Sequence, residues 1–130
     1  MNYNNYKAQQ EIASYTIANY KKIKVKAGKC RFNFKCHYNS VHEAKKGKHK
    51  KLAMCIYLDD GYPIIHFINY HKGKFIDNTL GEWSSRVDFF FVRWVLDEEM
   101  WQIDSIFTAF RKELRKTLSW WVRLTSDFEP

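Results

Sequence analysis

The sequence predicts an α+β domain in which helices lie around an antiparallel sheet of about four strands. Three observations lead to this prediction. Apolar or alternating runs at 52–58, 63–70 and 74–77 are separated by short turn patterns. A further run at 87–95 is dense in β-branched and aromatic residues, which favour strands. Apolar residues also recur at helical spacing near both ends of the chain and after Cys36.

Length and composition indicate one folded domain, residues 1–130. Hydrophobic residues make up 45% of the chain and aromatic residues 18%, which is typical of a domain with its own core. No run reaches the roughly eighteen apolar residues that a transmembrane helix needs. The polar start at 1–6 lacks the basic-then-apolar layout of a secretory signal. We therefore expect a cytoplasmic protein without membrane contact, in which the three cysteines are reduced.

The N-terminal part predicts a helix followed by an exposed strand edge. Residues 6–22 are compatible with a helix whose apolar side comprises Ile12, Tyr15, Ala18 and Tyr20. Residues 23–26 then alternate apolar and basic side chains, and 27–29 have a turn composition. Residues 30–35 alternate again, and the pattern leaves open whether they are extended or looped.

Cys36 begins a second predicted helix, whose apolar positions are Tyr38, Val41 and Ala44. A lysine-rich loop with one glycine, 45–51, separates this helix from the strands. The turns at 59–61 and 71–73 are short, so the strands at 52–58, 63–70 and 74–77 should form an antiparallel meander.

A long C-terminal helix is predicted from Asp97 to about Trp121. Asp97 has the residue type of an N-cap, two glutamates follow it, and basic residues enrich the later turns. The apolar positions at helical spacing are Met100, Ile103, Ile106, Phe107, Phe110, Leu114 and Leu118. We expect a core between the fourth strand and this helix to be built from the cluster Trp94, Trp101, Trp120 and Trp121. Trp120 and Trp121 are adjacent near the helix end and cannot both face inward, so one of them would mark a partner interface.

Three residues occur in the order and context from which a cysteine nucleophile is built. Cys36 starts a helix, His66 lies within a strand, and Asp77 ends the next strand. A helix N-terminus and an imidazolium both lower the pKa of a thiol, and a carboxylate orients the imidazole. If the second turn centres near 71–72, His66 and Asp77 lie directly opposite or one step diagonal. Both faces of the strand at 63–70 are apolar, so we expect a partly buried His66 with Asp77 as its partner.

Nearby residues have simpler interpretations. Cys55 lies in an apolar strand and is expected in the core. Cys30 is interpreted as a packing residue, with a resolving thiol as the alternative. Asn39 either braces the helix that Cys36 begins or supports an oxyanion.

At these residues the sequence resembles the papain-like superfamily of cysteine enzymes, and within it the transglutaminase-like branch. The resemblance rests on Cys36-x-x-Asn39, on 63–67 and on 73–79, and it covers roughly residues 34–81. It implies a core in which the Cys starts a helix, the His lies on the following strand and the Asp closes the next. In that branch the Asp commonly stands in Asp-x-Thr, as Asp77 does here.

The resemblance also implies a function. Cys36 would be the nucleophile, His66 the general base and acid, and Asp77 the residue that orients His66. The reaction would be acyl transfer through a thioester: hydrolysis of an amide, deamidation, or transfer to an amine. The substrate would be a protein or peptide, and no cofactor is implied.

Positive charge is concentrated between residues 21 and 51. This segment contains twelve basic residues and one acid, a net charge of +11, whereas the rest has ten basic and thirteen acidic residues, a net charge of −3. Aromatic residues are interleaved with the lysines, as in surfaces that bind nucleic acid or acidic proteins. With one arginine among them, the pattern favours general electrostatic attraction over base readout. The basic residues are Lys21, Lys22, Lys24, Lys26, Lys29, Arg31, Lys35, Lys45, Lys46, Lys48, Lys50 and Lys51.

Two alternatives to the enzyme follow from the same segment. In the first, the chain is a non-enzymatic basic protein that binds nucleic acid or an acidic partner protein, such as a phage accessory inhibitor. In the second, the lysines form an ordinary solvated face.

A zinc site would use Cys30, Cys36, His37, His42 and His49. Their spacing lacks the close ligand pairs of structural zinc sites, so we expect no metal.

Overall fold

The computed structural model describes residues 3–28, 36–45 and 50–130. Within these ranges the chain forms an α+β domain with a curled, mixed six-stranded sheet. The helices are α1 (Tyr3–Asn19), α2 (Cys36–Lys45), α3 (Ile103–Lys116) and α4 (Trp120–Thr125), with 3₁₀ helices at Gly81–Arg86 and Asp97–Gln102. The strands are β1 (Lys21–Ile23), β2 (Val25–Ala27), β3 (Lys51–Asp59), β4 (Tyr62–His71), β5 (Lys74–Asp77) and β6 (Asp88–Val95). None of the described helices is both long enough and apolar enough to span a bilayer.

The sheet has the strand order β1-β6-β3-β4-β5-β2. β2 pairs in parallel with β5, and the other neighbours are antiparallel. Only Lys24 separates β1 from β2, yet these strands lie at opposite ends of the strand order. The sheet therefore curls until its two edges meet at this residue.

The four predicted strands correspond to β3, β4, β5 and β6, and the antiparallel meander is confirmed for the first three. The sheet nevertheless has six strands and is mixed, because the basic alternating segment supplies two three-residue strands, one for each edge. A one-residue connection between strands leaves no turn pattern to detect.

Two tight turns define the meander. Asp60 and Gly61 have φ of 50° and 81°, and Lys72 and Gly73 have φ of 51° and 77°. Two successive positive φ angles are typical of two-residue type I′ hairpins, which match the twist of the paired strands. The second turn centres between Lys72 and Gly73, one residue later than predicted, and this changes the register between β4 and β5.

Every residue from 52 to 58 of β3 is buried, because the strand is covered on both faces. Its outer face packs with the helices in a core that includes Leu52, Met54, Ile56, Phe67, Phe110 and Leu114. Its inner face packs inside the curl with Ala53, Cys55, Tyr57, Ile68, Val87 and Phe89. Strands covered on both faces form continuous apolar runs, as this sequence does.

The N-terminal and C-terminal helices differ from their predicted bounds. α1 ends at Asn19, before the predicted end at 22, because the next residues pair with β6. The predicted long C-terminal helix is divided into a 3₁₀ helix, α3 and α4, and Leu96 occupies the N-cap position that was predicted for Asp97. At the interruption near 117–119, the Ser119 N–H donates to Glu11 Oε1 of α1 over 3.0 Å.

The predictions of which residues of α1 and α2 are buried are only partly correct. In α1 the buried residues are Ala8, Ile12, Ala13 and Thr16. In α2 they are Asn39, Ser40, Glu43 and Ala44, whereas Tyr38 is exposed. The buried side of α2 is therefore largely polar.

The predicted tryptophan core is wrong. Trp101 is 81% exposed, and Trp120 and Trp121 are also exposed. The buried positions of α3 are Ile103, Phe110 and Leu114, so the helix presents its aliphatic and phenylalanine side to the sheet. Trp94 is only partly covered, stacking on the Phe75 ring at 5.8 Å between ring centroids.

Candidate active site

Cys36 is the first residue of α2 and is half-buried on the wall of an open cleft of about 760 Å³. The first N–H groups of a helix have no acceptor within the helix, and they create a positive potential at its N-terminus. The side chains that line the cleft include Cys36, His37, His42, Lys45, His66 and Asp104. Apolar parts of the wall come from Ile65, Met100, Ile103 and Phe107.

His66 and Asp77 form a buried pair behind Cys36. The His66 Nε2 atom lies 2.7 Å from Asp77 Oδ2, and the residues are 3% and 0% exposed. In the observed register Asn69 faces Ile76, so His66 and Asp77 are diagonal neighbours on one face of the hairpin. Because Nε2 faces the carboxylate, Nδ1 is the ring atom left for the thiol.

The backbone around Asp77 holds its carboxylate toward His66. Asp77 Oδ1 accepts hydrogen bonds from the N–H groups of Thr79 and Leu80, over 2.6 and 2.8 Å. The Asp77 carbonyl accepts the Gly28 N–H over 2.7 Å. A Cβ atom at Gly28 would lie 2.8 Å from that same carbonyl oxygen, so the close approach of this segment requires glycine.

Mutual hydrogen bonding shifts the pKa values of the site. Burial raises the pKa of the Cys36 thiol, but hydrogen bonding to His37 and to His66, with attraction to their charge, lowers it overall to about 6. Burial lowers the pKa of His66, and its hydrogen bonds to Asp77 and Cys36 reverse this and raise it. Burial raises the pKa of Asp77, but hydrogen bonding to His66 makes the net shift downward. At neutral pH these directions favour a Cys36 thiolate, a His66 imidazolium and an Asp77 carboxylate.

Asn39 connects α2 to the turn after Asp77. It is 0% exposed, and its Nδ2 donates to Thr79 Oγ1 over 3.1 Å. This contact joins the helix that carries Cys36 to the turn whose N–H groups bind the Asp77 carboxylate.

A second set of buried hydrogen bonds joins α2 to β4 and to the turn after β5. Asn69 Nδ2 of β4 donates to the Ser40 carbonyl over 2.8 Å, and Asn78 Nδ2 donates to Asn69 Oδ1 over 2.8 Å. The polar buried side of α2 thus fixes the helix against β4 and the turn after β5.

His37 was considered in the sequence only as a metal ligand, yet it lies on the other side of the thiol. Its Nδ1 is 2.6 Å from Asp104 Oδ1 of α3. Its ring packs against Phe67 and Phe107, with centroid distances of 4.8 and 4.7 Å. The available signal was the position of His37 next to Cys36 at a helix start. No sequence pattern connects it to Asp104, 67 residues away.

The other cysteines and the metal alternative occupy different places. Cys55 is fully buried opposite His66 on β3, and burial raises the pKa of its thiol well above the usual value. Cys30 and His49 lie outside the described residues. Among the residues that are described, no three His, Cys, Asp or Glu side chains form a group that could hold a metal ion.

The basic residues in the described ranges have different surroundings. Lys22 lies 3.2 Å from Asp88, Lys50 lies 3.3 Å from Glu43, and the Lys51 ammonium lies over the Trp94 ring at 5.3 Å. Lys45 lines the cleft, and Lys21, Lys24 and Lys26 are exposed near the sheet edges. The remaining five candidates, Lys29, Arg31, Lys35, Lys46 and Lys48, lie outside the described residues.

No protein-family model matches this chain, and neither a curated protein nor a solved structure is significantly similar to it.

Proposed function

We propose that this chain is a cysteine-dependent acyl-transfer enzyme with Cys36 as nucleophile, His66 as general acid and base, and Asp77 as the orienting carboxylate. One observation carries the proposal: His66 is buried between the Cys36 thiol at a helix start and the Asp77 carboxylate, 2.7 Å from its Nε2. A structural histidine needs one partner, whereas this one has a carboxylate on one side and a half-buried thiol in an open cleft on the other.

The chemistry follows from the protonation states. The Cys36 thiolate attacks a carbonyl carbon, and the C=O electron pair moves to the oxygen. When the carbonyl re-forms, the C–N bond breaks, and the His66 imidazolium gives its proton to the departing amine. Water or a second amine then attacks the thioester, His66 accepts its proton, and the Cys36 thiolate is released. Asp77 keeps Nδ1 of His66 directed at the sulfur throughout.

The order of elements supports a papain-like, transglutaminase-like core as part of this proposal. Cys36 begins a helix, His66 lies on a following strand, and Asp77 closes the next strand with Thr79 two residues later. In this proposal Asn39 is a bracing residue, because its side-chain amide donates a hydrogen bond to Thr79 in the protein interior and does not line the cleft.

The cleft suits a protein or peptide amide as substrate. Its walls combine aliphatic and aromatic side chains with the imidazoles and a lysine, Lys45, at its edge. An extended peptide segment or a glutamine side chain has the required shape, with apolar methylenes next to a polar amide.

Site-resolved alkylation with iodoacetamide at pH 6 tests the proposal. A thiol with pKa about 6 is half ionised there, roughly 500-fold more than a thiol with the ordinary pKa of 9.0. A thiolate of lower pKa is also a weaker nucleophile, which reduces the advantage to roughly 20-fold. We expect Cys36 to exceed a free-thiol standard by about that factor.

Cys55 is the internal control, since it should stay unreacted in the folded protein. The advantage of Cys36 should become smaller in His66→Ala, because only the hydrogen bond to His37 then lowers the pKa of the thiol. If Cys36 of the wild type reacts no faster than the free thiol, no thiolate–imidazolium pair exists and the proposal is wrong.

A second function, binding of nucleic acid or an acidic partner, is favoured by the exposed lysines Lys21, Lys24 and Lys26 at the sheet edges. Salt-dependent binding to DNA that is unchanged by Cys36→Ala would support this function. Loss of binding in a triple Lys→Gln variant at these positions would assign it to the edge strands.

A further inference from the structure

The Cys36 thiol lies between two imidazole–carboxylate pairs. On one side is His66 with Asp77, and on the other is His37 with Asp104. Both imidazoles are hydrogen-bond partners of the thiol. Because the acid–base cycle of acyl transfer uses one imidazole, the second pair has no role in the proposed mechanism.

The two pairs differ in their surroundings. Asp77 is 0% exposed, whereas the Asp104 side chain is 89% exposed at the mouth of the cleft. The His37 ring is fixed between Phe67 and Phe107, and its Nδ1 faces Asp104. The ring atom left to face the thiol is therefore Nε2.

We propose that His37 is a second catalytic residue, whose Nε2–H hydrogen-bonds the oxyanion that forms when the Cys36 sulfur attacks a carbonyl carbon. The inference rests on the proposed function. It adds the stabilisation of the intermediate, which the Cys36–His66–Asp77 triad does not supply.

The electron movement explains why this position suits an oxyanion donor. As the S–C bond forms, the negative charge leaves the sulfur and appears on the oxygen of the same carbon. A donor that binds the thiolate before attack is then close to the oxyanion, and it can transfer its hydrogen bond without transferring a proton. The first N–H groups of α2, which have no acceptor within the helix, would act with it.

The charge state of His37 is consistent with this role. The Asp104 carboxylate can only accept, so Nδ1 carries a proton in this contact, and Nε2 donates as well only when the ring is an imidazolium. Burial lowers the pKa of His37, but hydrogen bonding to Cys36 and to Asp104 raises it overall. The other titratable groups that line the cleft are Tyr38, His42 and Lys45 on α2, Tyr57 on β3 and His66 on β4.

Two reagents separate oxyanion stabilisation from thiolate formation. Iodoacetamide reacts by displacement of iodide and forms no oxyanion, whereas p-nitrophenyl acetate acylates the thiol through a tetrahedral oxyanion. The informative quantity is the ratio of acylation to alkylation rates at Cys36, measured by mass spectrometry at pH 7 on the full chain.

In His37→Phe, which keeps a ring between Phe67 and Phe107, we expect this ratio to fall by roughly 100-fold. His37→Gln retains an N–H donor and should recover part of the loss. His71→Phe is the control, because it removes a histidine at the end of β4 that does not line the cleft, and it should leave the ratio unchanged.

An unchanged ratio in both His37 variants, with the two rates falling in parallel, would mean that His37 only stabilises the thiolate, and the inference would be overturned. If wild-type Cys36 alkylates no faster than a free thiol, the proposed function fails, and this inference fails with it. If His37→Phe does not fold, the ratio in His37→Gln and in Asp104→Asn decides: a ratio equal to that of the wild type in both overturns the inference.

Discussion

His66 and Asp77 are diagonal neighbours across the β4–β5 hairpin, with the His66 Nε2 atom 2.7 Å from Asp77 Oδ2. The diagonal arrangement follows from the type I′ turn at Lys72 and Gly73, which sets the register of the two strands. A change of one residue in this turn would move Asp77 to the opposite face of β5. The position of the carboxylate therefore depends on a short exposed turn as well as on the buried pair itself.

The pH dependence of acyl transfer should report both members of the thiol–imidazole pair. We expect the rate to rise with a pKa of about 6, as Cys36 ionises, and to fall at alkaline pH as His66 loses its proton at its raised pKa. Asp77→Asn removes the charge that holds His66 protonated, so its pKa should fall and that of Cys36 should rise. A narrower bell-shaped profile of peptide p-nitroanilide hydrolysis in the variant is the expected result, because the amine leaving group of this amide takes the proton of His66, and an unchanged alkaline limb would contradict it.

The stability of the fold should depend on pH through the same pair. The pKa of Asp77 is lowered from 3.8, so its contribution to the free energy of unfolding is complete above about pH 4 and is lost as pH falls through the lowered value. The pKa of His66 is raised from 6.5, so its contribution is complete below about pH 6.5 and is lost as pH rises through the raised value.

Urea unfolding of Cys36→Ser from pH 3 to 9 measures this dependence without titration of the thiol. We expect maximal stability between pH 4 and 6.5. The decline above pH 6.5 should be absent when His66→Gln is added. A decline of equal slope in the double variant would assign the pH dependence to other groups.

Gly28→Ala tests the segment that fixes Asp77 from behind. The new Cβ would lie 2.5 Å from Asn78 Oδ1 and from Ile76 Cγ2, so strand β2 or the turn after β5 must shift. We expect the free energy of unfolding to fall by about 1–3 kcal/mol, with slower alkylation of Cys36 at pH 6.

Gly61→Ala is the matched control for this change. It introduces a strained residue at φ 81° with no atom within 4 Å, far along the chain from the Asp77 turn. It should lower stability and leave the alkylation rate of Cys36 intact. Equal effects of the two variants on this rate would show that Gly28 has no particular link to the site.

Asn39 should act as a brace, and a double-mutant cycle with Thr79 tests this role. Because its side chain donates to Thr79 Oγ1 in the interior, Asn39→Ala should cost about 1–3 kcal/mol of unfolding free energy. The effect should be smaller when Thr79→Val is already present. A fully additive cycle, together with a selective loss of acylation over alkylation, would instead favour an oxyanion role for Asn39.

Local patterns predicted much of the fold and part of the site. The strands β3 to β6 were visible because apolar runs and Asp-Gly or Lys-Gly turns are encoded within about ten residues. Cys36, His66 and Asp77 were identified because their order along the chain coincides with a helix start and a hairpin.

What could not be predicted depends on contacts that no local pattern encodes. Three of the four buried residues of α2, namely Asn39, Ser40 and Glu43, are polar, and Asn39 and the Ser40 carbonyl bind polar groups of the Asp77 turn and β4. An apolar-periodicity argument finds Ala44 on such a helix and misses its buried polar residues. Likewise, the exposure of Trp120 and Trp121 follows from the interruption of the C-terminal helix, which leaves only Val122 of α4 buried.

The edge strands β1 and β2 also bear on how the protein folds. They pair with β6 and β5, whose residues lie more than 45 positions further along the chain, whereas the β3–β4–β5 meander closes through two-residue turns. Contacts between residues distant in sequence carry a larger loop-closure entropy, so the meander should form early and the sheet edges should join late. Gly28, which contacts the Asp77 backbone, belongs to the late segment. If Cys36 is the nucleophile that we propose, the backbone contact that supports Asp77 would be completed only when the sheet edges join, so a partly folded chain should carry a less reactive Cys36 than the folded protein.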